Sequence, residues 1–131
     1  MKFEELCDAR YSLRKFDSRP VEAEKLQKVL EAGRKAPTAH NLQPQRFFVM
    51  QSEEALAKAD ACTACHFHPP VVIVAVYDPE IAWKREEDGK NHGEIDVTLA
   101  VSQMMLQAAE LGLGTTYVGM FNPEKLLEQF P

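Results

Sequence analysis

From Asp96 to Leu111 the chain places apolar side chains at almost every angle around a helix: Val97, Leu99, Val101, Met104, Met105, Leu106, Ala108, Ala109 and Leu111. A surface helix keeps a polar face toward water. One that is apolar all round is covered on all sides, at the centre of a domain or at a subunit interface. With 131 residues there is material for one domain, whose strands and helices alternate around this helix. It runs from Asp96 to about Gly112 and stops in Gly112-Leu113-Gly114-Thr115-Thr116. Gly112 suits a helix C-cap and Gly114 a close-packed turn.

The remaining segments alternate in type. Phe3, Leu6 and Cys7 mark the buried face of a first helix that reaches the Arg10–Arg14 region and is broken by Pro20. Leu26, Val29 and Leu30 repeat at helical spacing, with Gly33 near the stop and Pro37 beyond it. Arg46 to Gln51 reads as a buried strand and Val71 to Tyr77 as a second, β-branched and bounded by Pro70 and Asp78-Pro79. Ser52 caps a short helix with Glu53 and Glu54 in its first turn. Asn122-Pro123 opens a last helix. The charged stretch from Trp83 to Glu94, with Asp88-Gly89 inside it, is a loop or lid. The fold class is α+β, a mixed β-sheet flanked by helices around the long buried central helix.

Two segments carry chemistry. In Arg10-Tyr11-Ser12-Leu13-Arg14 the two arginines stand four apart, on one face if the segment is helical, with the Ser12 hydroxyl near their edge. Two guanidiniums and a hydroxyl suit a dianionic phosphate, which arginine grips bidentately. The second segment, Ala36-Pro37-Thr38-Ala39-His40-Asn41-Leu42-Gln43-Pro44, is polar and punctuated by proline, with amides free to bond a planar heteroatom-rich ring.

Together with the central helix, its Gly112-Leu113-Gly114 turn and the following Tyr117-Val118-Gly119-Met120-Phe121-Asn122-Pro123, these segments resemble the nitroreductase family over about residues 3 to 130. The resemblance implies an FMN-dependent oxidoreductase that passes hydride from NAD(P)H through flavin N5 to a small acceptor such as a nitroaromatic or a quinone. It implies a homodimer with shared flavin sites. Arg10, Tyr11, Ser12 and Arg14 would hold the phosphate and ribityl end. Pro37, Thr38, Ala39 and Asn41 would lie against the flavin across the subunit boundary. Gly119 and Met120 would end a strand and bring backbone to N5. A flavin carries the hard chemical step itself, so no catalytic side chain is assigned. Another flavin chemistry on the same fold, such as dehalogenation or an oxidase step, stays open. So does a flavin- or metal-binding protein without turnover. The family also implies a further strand and a C-terminal arm after the point where this sequence stops, at Phe130-Pro131. The expectation is therefore one FMN-binding domain lacking its C-terminal part, folded but weak in cofactor retention.

Cys62-Thr63-Ala64-Cys65-His66, with His68 beyond, spells a haem-attachment or zinc pattern. Covalent haem attachment requires export, and the N-terminus is charged from Lys2 and has no signal-peptide apolar run. Seven residues closing a whole tetrahedral zinc site alone are cramped. Plain loop thiols are the reading taken, with no metal site, and Cys7 is read as a small buried apolar residue. His40 either donates a proton to substrate or is a loop histidine facing solvent or the partner. Trp83 either forms a lid or makes an ordinary hydrophobic contact, and Met104 and Met105 belong to the core or the dimer interface.

The formal net charge of −5 argues against a nucleic-acid partner. Residues 1–35 carry nine Lys and Arg against seven Asp and Glu, while the rest carries six against thirteen. A local basic pocket on an acidic molecule fits a small anion. No apolar run is long enough for a membrane span, and a cytoplasmic protein is expected.

Overall fold

The computed structural model describes all 131 residues. In chain order the elements are α1 (Phe3–Ala9), α2 (Ala23–Arg34), a 3-10 turn (Ala39–Asn41), β1 (Gln45–Met50), α3 (Glu53–Asp60), β2 (Val72–Tyr77), α4 (Gly93–Glu110) and α5 (Pro123–Gln129). No helix is long and apolar enough to cross a membrane.

Strands β1 and β2 pair antiparallel, from Gln45 opposite Tyr77 to Met50 opposite Val72. The core lies where α4 crosses α2 over this sheet: Val29, Met104 and Ala108 are buried together, packed by Leu30, Phe47 and Ile73. Two amides tie these layers to α2. Gln103 donates to the carbonyl of Ala32 at 2.9 Å, and buried Gln45 donates to that of Gly33 at 3.1 Å. Local capping follows the expected chemistry. Ser52 accepts from the Ala55 amide, and the Asn122 side chain accepts from both Glu124 and Lys125, leaving Pro123 at the first helical position.

Four expectations are corrected. First, α1 ends at Ala9, and Arg10 is extended (φ −70°, ψ 128°), so the arginines do not share a helical face. Beyond the helix its backbone is claimed elsewhere: Ser12 forms a parallel bridge with Thr115, and the Leu13 amide donates to the Thr115 carbonyl at 2.8 Å. Second, the mixed character of the sheet amounts to that one parallel bridge beside an antiparallel pair, and Tyr117–Met120 is not a strand. Only Thr115 and Phe121, at its two ends, find bridge partners, and a strand exists only where a neighbour accepts its hydrogen bonds. Third, α4 starts three residues earlier than expected, and within a single chain it is covered along one side. Asp96, Ala100, Met104 and Ala108 are buried at four-residue spacing, whereas Ile95 and Leu99 are 41% and 46% exposed. Fourth, Cys7 is exposed.

Candidate functional site

The predicted site residues fall into three places, two of them at opposite ends of α4. At its C-terminal end the helix closes in a Schellman turn. The Leu113 amide donates to the Ala108 carbonyl at 2.9 Å and that of Gly112 to Ala109 at 3.1 Å. Gly112 takes the left-handed conformation this requires (φ 79°). The turn then presents Gly114 to Leu13 so closely that a Cβ there would lie 2.2 Å from a Leu13 methyl. This contact and the Ser12–Thr115 bridge hold the basic segment against the helix end. A cavity of about 310 Å³ opens here, lined by Arg10, Tyr11, Leu13, Gly112, Gly114 and Thr115. Of the basic segment, Arg10, Tyr11 and Leu13 face the cavity at this helix end, whereas Ser12 and Arg14 lie outside its lining. Neither Arg10 nor Arg14 has a carboxylate within ion-pair distance, so both guanidiniums keep their donors for an anion.

At the other end of α4 lies the Pro37–Asn41 segment. Its amide at Ala39 donates to Oδ1 of Asp96 at 3.0 Å, and Asp96 is 2% exposed. The Asn41 amide donates to the Thr38 carbonyl at 2.9 Å, and that of Gln43 to the Thr38 hydroxyl at 3.1 Å. Three non-glycine residues here, His40, Asn41 and Gln43, have φ between 53° and 54°. Such left-handed positions cost of order 1–3 kcal/mol each and persist where the surroundings over-determine them. The His40 ring stacks on Trp83 with centroids 5.0 Å apart, and Trp83 meets the edge of His92 at 4.7 Å. The loop after Trp83 is a turn closed by the Lys84–Asn91 bridge and by the Arg85–Asp88 pair, which holds the Asp88 carboxyl down at about 2.

Asp96 and His92 were absent from the predicted site residues. Each keeps one buried side-chain atom without a hydrogen-bond partner in this chain, Oδ2 of Asp96 and Nε2 of His92. The signal for Asp96 was present in the sequence. It is a carboxylate in phase with Ala100, Met104 and Ala108 on an apolar helix, a position where charge is tolerated only with partners.

The third place holds Gly119 and Met120. The Met120 carbonyl accepts from the Thr63 hydroxyl, Phe121 bridges Thr63, and the Asn122 amide donates to the Cys62 carbonyl at 2.8 Å. An open cleft of about 910 Å³ lies between α3 and α5, lined among others by Asp60, Cys62, His66, Met120, Phe121 and Lys125. The Cys-x-x-Cys-His atoms do not converge on a common point. The buried Cys62 thiol donates to the Lys58 carbonyl, His66 Nδ1 faces Asp60 at 2.9 Å, and no three His, Cys, Asp or Glu side chains gather as metal ligands do.

Sequence and structure comparisons place these features in a known context. The family model described as the nitroreductase family matches residues 8–67 and 59–131. A solved nitroreductase family protein of Clostridium difficile 630 is 43% identical and superposes with a TM-score of 0.95, covering 99% of this chain and 75% of its own. A protein of Archaeoglobus fulgidus provisionally named NADH dehydrogenase/NAD(P)H nitroreductase is 28% identical over 128 residues, 91% of this chain and 68% of the relative. A Desulfovibrio desulfuricans protein provisionally assigned as a nitroreductase, solved in complex with FMN, is 26% identical with a TM-score of 0.76, covering 96% of this chain and 70% of its own. The chain thus spans about two thirds of the length of the curated relatives that it matches over most of its own.

Proposed function

Since the chain belongs to the nitroreductase family, we propose that it is an FMN-dependent NAD(P)H oxidoreductase, working as a homodimer on a small flat acceptor such as a nitroaromatic or a quinone. FMN supplies hydride transfer when bound; the protein supplies binding, orientation and electrostatics. Arg10, Ser12 and Arg14 grip the phosphate with Tyr11 beside them. Pro37, Thr38, Ala39 and Asn41 face the ring from the partner chain. The backbone at Gly119 and Met120 approaches N5, where an N–H dipole favours developing negative charge. The unpaired state of both guanidiniums supports the phosphate role. The relative solved with FMN and the relatives named for NAD(P)H support the choice of cofactor and reductant.

One observation carries the reading. The Arg10–Arg14 segment is fastened to one end of α4 through Thr115, and the Pro37–Asn41 segment to the other end through Asp96. From Asp96 to Ala109, which lines the cavity at Arg10, thirteen residues of helix separate them by about 20 Å at the usual rise per residue. That separation supports a site shared between two chains. A twofold axis perpendicular to α4 near its middle, at about Ser102, would run two α4 helices antiparallel and cover the exposed Ile95 and Leu99. It would set the basic end of each chain beside the Asp96 end of the other. The exposed apolar side of α4 is then the covered one, and the site is shared.

The protein should purify yellow, or turn yellow with added FMN, and NADH or NADPH should bleach it without oxygen. A colourless protein that neither takes up FMN nor oxidises reduced nicotinamide would exclude the reading.

A further inference from the structure

The motif that the proposed function leaves unused lies in the cleft beside Met120. We propose that this cleft is the acceptor side of the site and that His66, oriented by Asp60, is the proton donor to the acceptor; the inference rests on the reading of Met120 as the flavin-facing backbone. His66 Nδ1 stands 2.9 Å from Asp60 Oδ1, which sets the carboxylate beside that nitrogen and leaves Nε2 as the atom that gives and regains a proton. His68, at a left-handed φ of 52°, lies with its ring centroid 6.3 Å from that of the half-exposed His66. The wall carrying these groups is stitched to Met120 through Thr63 and to Asn122 through the Cys62 carbonyl, so His66 and Met120 line one cleft. Lys125 lines it as well and favours an oxygen gaining negative charge. The other ionisable group lining the cleft is Cys62, whose thiol is already committed to the Lys58 carbonyl.

The chemistry needs such a group. A quinone becomes a hydroquinone by taking one hydride and one proton. The hydride brings both electrons from the reduced cofactor, and His66 Nε2 delivers the proton to the carbonyl oxygen, which becomes a hydroxyl. Neutral His66, its remaining proton still on Nδ1 toward Asp60, is reprotonated at Nε2 by water. A one-electron acceptor such as ferricyanide takes up no proton and should be indifferent to His66.

The two halves of turnover can be followed separately by stopped flow with the FMN-loaded dimer. In His66→Gln, bleaching by NADPH should keep its wild-type rate. Reoxidation by duroquinone should slow by about 100-fold, the lower range for a positioned general acid, while reoxidation by ferricyanide stays unchanged. Asp60→Asn should slow duroquinone reoxidation less than His66→Gln does. In the flavin-free protein, ¹⁵N NMR of neutral His66 should place its proton on Nδ1, and Asp60→Asn should abolish that preference. Unchanged duroquinone reoxidation in His66→Gln, or equal slowing with both acceptors, would overturn the proton role and leave the flavin reading standing. A wild-type protein that holds FMN yet is not bleached by either nicotinamide would overturn both.

Discussion

Oδ1 of Asp96, on the first turn of α4, accepts the backbone amide of Ala39 at 3.0 Å across 57 residues of sequence. It fixes a loop whose neighbouring residues are left-handed, and does so from a helix buried along the same face. Removing the acceptor should release the loop. Asp96→Ala is expected to weaken FMN binding by at least about tenfold, or ~1.4 kcal/mol. Asp96→Asn, which keeps an acceptor oxygen, should retain most of the affinity. Flavin fluorescence titration measures both. Equal affinities for the alanine variant and the wild type would show that the loop does not depend on this bond.

The phosphate role of Arg10 separates two flavins. Arg10→Ala should cost roughly 1.5–3 kcal/mol in FMN binding, the range for a hydrogen bond to a charged group. Riboflavin, which has no phosphate, should bind nearly as before. Equal losses for the two ligands would remove the phosphate assignment for this residue.

Association through α4 is open to a charge test. Leu99 is 46% exposed in one chain, and an unpaired carboxylate desolvated between two copies costs several kcal/mol. Light scattering of the FMN-loaded protein should give twice the chain mass, and Leu99→Glu should give a monomer that has lost FMN. A Leu99→Glu variant that stays dimeric would move the interface elsewhere.

Acid sensitivity has one assignable surface contribution. Asp88 is held at about 2 by its hydrogen bonds to Arg85, against an ordinary value of 3.8. Its folded value is the depressed one, so the pair's contribution is present above about pH 4 and is lost as pH falls toward 2. Arg85→Gln should raise the Asp88 midpoint toward 3.8 in a carboxyl NMR titration. Both groups are exposed, so the effect on global stability should be small.

Much of this molecule is written in neighbouring residues. The Ser52 and Asn122 caps, the stop at Gly112 and the strands around Phe47–Val49 and Val72–Tyr77 depend on periodicity and on side chains within a few positions. Such interactions act locally and survive whatever the rest of the chain does. The residue types around the candidate site were legible for the same reason: Arg-x-Ser-x-Arg advertises an anion whatever its backbone. Their arrangement was not legible. Beyond the helix, Ser12 pairs with Thr115, a hundred positions on, whose carbonyl takes the Leu13 amide. Tyr117–Met120 lacks a ladder because only its flanks meet partners. Asp96 turns from a helix-start residue into a buried anchor because Ala39 is folded onto it, and His66 gains a direction only from Asp60. A sequence states what each side chain is able to do. Which group meets which across fifty or a hundred residues is decided by the packing of α4 against α2 and the β1–β2 pair, since burial alone sets those distant backbones within hydrogen-bonding reach.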